Sequence, residues 1–252
     1  MGKVRAKKHL GQHFLKDLSI AQKIAQSLSP QTTILEVGPG MGVLTNYLLP
    51  LKSDLYVVEI DQESVRYLKT HFPTLHHRII QGDFLQLPIE TLFQNEIALI
   101  GNFPYNISSQ ILFKALDHRN TITEIVGMFQ KEVAQRVCSH PGTKSYGIIS
   151  VFLQCYYHTE YLFTVDEDVF DPPPKVKSAV IRLKRNKRQQ LPCDENTFKK
   201  VVKTAFGLRR KTLRNALKSL NLTDQNKAKK YLELRAEQLS VEDFFELTQC
   251  FE

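Results

Sequence analysis

The 252-residue chain predicts an α/β fold with a mostly parallel sheet, followed by a small all-helical domain. Three observations carry this reading. Short apolar runs alternate with helix-length segments as far as about residue 129. Beyond about residue 189 only helical periodicity remains. The charge is also uneven: residues 9–174 carry 11 basic and 17 acidic residues, but residues 175–235 carry 19 basic and four acidic.

The elements follow in order. Asp17 predicts the cap of a helix through Leu28, with Leu18, Ala21, Ile24, Ala25 and Leu28 at helical spacing. Residues 33–37 form an apolar run ending in glycines, and residues 43–51 read as a helix. A second strand at 55–60 is followed by Asp61 as the next cap. Strands are expected at 78–81, 97–100 and 122–129, each separated by a helix-length segment, which implies right-handed crossovers and a parallel sheet. After a helix at 130–138 and an apolar stretch at 147–157, two late strands at 160–165 and 178–184 are expected to pair antiparallel. Asp171-Pro-Pro-Pro174 bridges them and cannot join a ladder. Phe198, Val201, Val202, Ala205 and Phe206 then line one helix face. Leu213, Leu217 and Leu220 line another, and Ser240 and Asp243 mark a capping box. The expected domains are 1–188 and 189–252.

Composition excludes several classes. Four cysteines lie far apart with no C-x-x-C, and the eight histidines have no metal-ligand spacing, so no metal site is expected. No run approaches the length of a membrane span. The chain therefore reads as a soluble cytoplasmic protein with no membrane partner. Its net charge of +8, concentrated in the N-terminal eight residues and in 175–235, suits a polyanion.

The chemistry sits at four strand ends. Glu36-Val-Gly38-Pro-Gly40-Met-Gly42 follows the first strand; its G-x-G-x-G spacing departs from the G-x-G-x-x-G of dinucleotide folds, which disfavours a nicotinamide oxidoreductase. Glu59 ends the second strand, where an acid can accept both hydroxyls of a ribose; as an alternative, it is a helix N-terminal charge. Gly82-Asp83-Phe84 follows the third strand, and Asn102-Phe103-Pro104-Tyr105 the fourth. In a parallel sheet these ends share one edge, where open α/β folds bind ligands. An exocyclic amine of a base is a poor nucleophile because its lone pair is delocalised. Two acceptors, the Asn102 amide oxygen and a backbone carbonyl at Phe103 or Pro104, would grip its N–H bonds and free the lone pair. Tyr105 supplies a stacking face.

These motifs, with Gln12-His-Phe-Leu15, Phe170-Asp-Pro-Pro-Pro-Lys-Val-Lys-Ser178 and Ala205-Phe-Gly-Leu-Arg-Arg-Lys-Thr-Leu-Arg-Asn215, resemble the ribosomal RNA small-subunit adenine N6,N6-dimethyltransferases (KsgA-type) from about residue 8 onward. The resemblance implies a Rossmann-like S-adenosylmethionine-dependent methyltransferase fold. It implies methyl transfer to N6 of two adjacent adenines in the 3′-terminal hairpin loop of small-subunit (16S) RNA, with S-adenosylhomocysteine as product. The substrate would be an assembling 30S particle. Independently of the resemblance, the basic helical domain suggests a monomer on RNA. Gly38, Gly40 and Gly42 would pack on the cofactor's methionine portion, Glu59 hold the ribose diol, and Asp83 with Phe84 meet the adenine. Asn102 would touch cofactor and target, while Gln12, His13 and Leu15 close over the cofactor. His13 stands where the family usually has asparagine, and Phe103 replaces a commoner leucine. Phe170 would sandwich the target base against Tyr105, or alternatively plug the core before the prolines.

Arg209, Arg210, Lys211 and Arg214 are expected within one and a half turns of one helix, anchored by Leu213, Leu217 and Leu220 and spanning phosphates. Lys3, Arg5, Lys7 and Lys8 would reach a further set. Two other readings share part of this pattern: a sister enzyme that methylates large-subunit RNA, and an assembly factor that has lost the chemistry. The Phe206–Asn215 run argues against the first, and the intact Asn102–Tyr105 set against the second.

Overall fold

The computed structural model describes residues 4–251; Lys3 lies outside them. The chain forms two compact units, one made of Met1–Ala134 and Thr159–Arg185, the other of Gln135–His158 and Asn186–Glu252. This differs from the expected division at residue 188, because Gln135–His158 joins the helical unit. Aromatic packing gives the reason: the ring of Phe152 lies 6.0 Å from that of Phe198, and Tyr146 lies 6.1 Å from Phe206.

The first unit runs β1 (Phe14–Leu15), α1 (Leu18–Gln26), β2 (Thr33–Val37), α2 (Thr45–Leu48), β3 (Asp54–Glu59), α3 (Gln62–His71), β4 (Ile79–Gln81), α4 (Ile89–Leu92), β5 (Ile97–Asn102), α5 (Ser108–Asp117) and β6 (Ile122–Gln130). Asp17 caps α1 by accepting from the N–H groups of Ser19 and Ile20, and Asp61 caps α3 through Glu63 N–H. The helix expected over 43–51 shrinks to one turn at α2, because the glycine turn continues to residue 44.

After α6 (Lys131–Cys138) and α7 (Ile148–Gln154), the chain returns through β7 (Tyr157–Val165), β8 (Phe170–Asp171) and β9 (Ser178–Arg185). The main sheet has the order β4-β3-β2-β5-β6-β9-β7. The pairs β2–β3, β2–β5, β3–β4 and β5–β6 are parallel, and β9 runs antiparallel to β6 with Met128 opposite Val180. Ile97, Ala98, Leu99 and Ile100 of β5 are fully buried, as expected of a strand covered on both faces. The strand order reverses between β2 and β5, and this reversal opens a crevice at the strands' C-terminal ends. A separate two-stranded ribbon pairs β1 with β8, placing Leu15 opposite Phe170 and Phe14 opposite Asp171.

The helical unit adds α8 (Glu195–Gly207), α9 (Leu213–Ala216), α10 (Gln225–Leu232) and α11 (Val241–Gln249). Phe198, Val201, Val202 and Ala205 of α8 are buried, and Phe198 packs on Phe245 at 5.2 Å. Ser240 and Asp243 form the capping box that starts α11. The helix expected to carry the arginine cluster is only one turn long, so Arg209, Arg210 and Lys211 precede it in a turn.

Candidate active site

A cleft opens along the C-terminal ends of β2, β3, β4 and β5, with all four strand-end motifs on its wall. The space between its walls, counted out to open solvent, is about 1020 Å³. Gly38, Gly40, Glu59, Asp83, Phe84, Asn102, Phe103, Pro104 and Tyr105 line it, and Gln12 and His13 close one side.

Glu59 is oriented by backbone. Its Oε2 accepts from Gly40 N–H at 3.0 Å and its Oε1 from Asp61 N–H at 2.9 Å. Burial pushes its carboxyl above the usual range, against those two hydrogen bonds. Each oxygen keeps lone pairs for a diol. Asp83 Oδ1 accepts from Leu85 N–H at 2.9 Å, which starts the single 3-10 turn Phe84–Gln86 and leaves Oδ2 for a ligand. Gly38 has φ 68°, and a Cβ there would meet nothing within 4 Å, so the backbone itself forms this part of the wall.

Asn102 and Tyr105 are held from outside their own loop. Asn102 Nδ2 donates to the His13 carbonyl at 2.8 Å. A carbonyl only accepts, so the amide orientation is set and Oδ1 is the acceptor left over. The Tyr105 hydroxyl is hydrogen-bonded to the Ser178 hydroxyl, and the His13 ring stacks on Tyr105 at 5.5 Å and 26°. His13 Nδ1 donates to Pro172 O at 2.8 Å. An imidazole thus finds a partner that uses one donor. The ring of Phe103 is buried in space left by Gly101 and Gly127; a Cβ on Gly127 would lie 2.0 Å from it.

Three expected residues do not line the cleft. Gly42 turns away from it, and a Cβ there would strike the Phe72 ring at 2.3 Å. Leu15 is only 6% exposed and belongs to the hydrophobic core. Successive strand residues face opposite ways, so Phe14 takes the cleft instead. Phe170 lies opposite Leu15 on β8, is 1% exposed and packs in the same core. It fills the role of a plug, and His13 is the ring that meets Tyr105. Leu10, Gly11, Val58, Ile60, Leu85, Asn106 and Ile107 also line the wall, although the sequence assigns them no role. Val58 and Ile60 flank Glu59 and were open to detection from that position; the Leu10 and Asn106 contacts depend on how the N-terminal segment crosses the cleft.

Among the basic residues, Lys7 does not face outward. Its ammonium pairs with Asp61 and lies 3.3 Å from Glu63. Burial works against the ionised Asp61, but Lys7 and the cap donors together hold its carboxyl below the usual range. Lys7 N–H also donates to Gln12 Oε1 at 2.8 Å, tying the N-terminal segment into a turn. Arg209 donates to Thr143 O at 3.2 Å and sits 3.6 Å from Glu237, while Arg214 pairs with Glu233 at 2.6 Å. Lys8, Arg210 and Lys211 are exposed.

A family model described as ribosomal RNA adenine dimethylase matches residues 3–252. The chain belongs to that family. A protein of Cytophaga hutchinsonii named ribosomal RNA small subunit methyltransferase A is 58% identical over 254 residues, covering 98% of both chains. Its namesake in Flavobacterium johnsoniae is 57% identical over 255 residues, covering 100% of this chain and 98% of its own. Among solved structures, a dimethyladenosine transferase from Plasmodium falciparum matches with a TM-score of 0.78 and 25% identity, over 93% of this chain and 96% of its own.

Enzymes of this family are S-adenosylmethionine-dependent methyltransferases, and the donor set of the cleft suits that cofactor. A buried carboxylate already oriented by two backbone N–H groups fits a ribose diol, a capped aspartate fits an adenine amine, and a bare glycine backbone fits the methionine portion. No helix of the described residues is long and apolar enough to cross a membrane.

Proposed function

We propose that the chain transfers methyl groups from S-adenosylmethionine to N6 of two adjacent adenines in the 3′-terminal hairpin loop of small-subunit ribosomal RNA. It would act on assembling 30S particles, in the cytoplasm and as a monomer. The observation that carries this reading is the tethered amide of Asn102 beside Tyr105 at the mouth of the cleft.

When bound, S-adenosylmethionine supplies an electrophilic methyl on a sulfonium. The protein's work is done by its own groups. Glu59 holds the ribose, Asp83 accepts from the adenine amine and Phe84 packs beside it, and the Gly38–Gly40 backbone receives the methionine end. Asn102 Oδ1 and a backbone carbonyl at Phe103 or Pro104 accept the two N6–H bonds of the target adenine. Gripped in this way, the amine turns its lone pair out of the ring's conjugation and toward the methyl. The base, taken out of its stack, lies on the face of Tyr105 that His13 does not cover. Tyr105 keeps its place because Ser178 holds its hydroxyl. No strong base is required, since the methylated ammonium loses its proton readily; positioning supplies the rate.

In the helical unit, Arg210 and Lys211 would meet RNA phosphates directly, and Lys8 would do so from the N-terminal segment. Arg209 and Arg214 would join them only after exchanging their glutamate partners. Supplying tritiated S-adenosylmethionine with undermethylated 30S particles, and separately with 50S particles, tests the reading. Label in the two adjacent adenines of the 30S RNA supports it. Label confined to 50S RNA, or label in neither, overturns it.

A further inference from the structure

Lys114 lies on α5, the helix that follows the Asn102–Tyr105 loop, yet its side chain serves another part of the cleft. Its ammonium donates to Leu85 O at 3.0 Å and to Leu87 O at 2.8 Å. It also stands 5.8 Å from the centroid of the Phe84 ring, within the range of a cation–π contact. Asp83, Glu90 and Asp117 supply negative charge around it. The two hydrogen bonds and the ring contact converge on the single turn that follows Asp83. That turn is one 3-10 unit, closed by Asp83 at its start and by Leu87 N–H to Phe84 O at its end, too short to hold its shape alone.

We propose that Lys114 is a positioning residue for the adenine end of the cofactor site. It clamps two carbonyls of the turn that presents Asp83 and Phe84, and so holds the carboxylate and the ring at the spacing an adenine requires. The inference rests on the reading of Asp83 as the adenine contact. Removing the ammonium would leave two carbonyls without their donor and release the turn from α5. The ribose and methionine contacts, on β3 and β2, would be untouched.

The test compares S-adenosylhomocysteine with S-inosylhomocysteine, which carries a carbonyl oxygen where adenine has its amine. Calorimetric affinities are measured for the wild type, Lys114→Met, Lys114→Gln, Lys114→Arg and Asp83→Ala. Lys114→Met should weaken S-adenosylhomocysteine binding about tenfold while weakening S-inosylhomocysteine much less, so that the selectivity ratio collapses. Lys114→Arg, which keeps several donors, should restore most of the ratio, and Lys114→Gln, with one amide, should fall between. A general loss of structure would lower both affinities together and leave the ratio intact. Should Lys114→Met not fold, the order of wild type, Arg and Gln still decides the matter. Equal ratios across the folded Lys114 variants, with Asp83→Ala losing selectivity, overturn the role of Lys114 alone. Wild-type selectivity in Asp83→Ala overturns the underlying reading of the site.

Discussion

The side-chain amide of Asn102 is tied to the backbone of His13, 89 residues earlier in the chain, by a 2.8 Å hydrogen bond from Nδ2 to the carbonyl oxygen. The N-terminal segment thereby decides which end of the amide faces the cleft. Replacing Asn102 by alanine removes both the tether and the acceptor that would grip the target amine. Single-turnover methyl transfer should fall by about 10²–10³-fold, the range for losing one preorganised polar contact in a transition state. RNA affinity measured on the same variant should change far less, since phosphate contacts elsewhere supply most of it. If single-turnover rates stay near wild type, the amine-gripping geometry fails.

Glu36 makes stability depend on pH. It is fully buried on β2, and burial pushes its carboxyl up to about 8, although the Thr45 hydroxyl donates to it at 2.6 Å. Between about 4.5 and about 8 the unfolded chain ionises at this residue and the native state does not. The native state holds the extra proton, so raising the pH across that window favours unfolding. Glu36→Gln cannot ionise and still offers the Thr45 hydroxyl an acceptor. Its stability advantage over the wild type should grow from nothing near pH 4 to a few kcal/mol near pH 8. Urea unfolding at several pH values reads this directly, and a pH-independent difference would refute it.

Phe103 and Gly127 should behave as a coupled pair. A methyl group on Gly127 would fall 2.0 Å from the Phe103 ring and 3.0 Å from the Gly101 carbonyl. Gly127→Ala alone should therefore cost about 1–3 kcal/mol, the usual penalty of overpacking. In a Phe103→Leu background the smaller side chain leaves room, and the same substitution should cost less than half as much. A double-mutant cycle by thermal unfolding measures the coupling; additive effects would show that the ring does not depend on the glycine.

Charge neutralisation should separate the four basic residues near α9. Arg210, Lys211 and Arg214 are all exposed, but Arg214 is paired with Glu233, and the half-buried Arg209 faces Glu237. Neutralising Arg210 and Lys211 together should lower the log–log slope of 30S affinity against salt by about 1–2. Neutralising Arg209 and Arg214 should lower it less, because their phosphate contacts must first displace a carboxylate. Equal slopes for the two double variants would remove that distinction.

How much was legible in the sequence differs by scale. The parallel sheet, the caps at Asp17, Asp61 and Ser240, and the placing of four motifs on one edge followed from local rules. Periodicity marks a strand or a helix, and parallel strands bring all their C-terminal ends to the same side. Gly38, Glu59, Asp83 and Asn102 were accessible because each lies at a strand's C-terminal end or within two residues of it. The side on which a short irregular segment presents its residues was not accessible. The two-residue pairing of β1 with β8 sends Leu15 and Phe170 into the core and Phe14 into the cleft, and a register set by residues more than 150 positions apart leaves no local trace. For the same reason Lys7 settles on Asp61, Gln135–His158 joins the helical unit, and Lys114 reaches across to the turn after Asp83. Residue type and spacing determined which chemistry the chain carries. Long-range packing, which satisfies buried groups wherever their partners happen to lie, decided which side chains were left free to perform it.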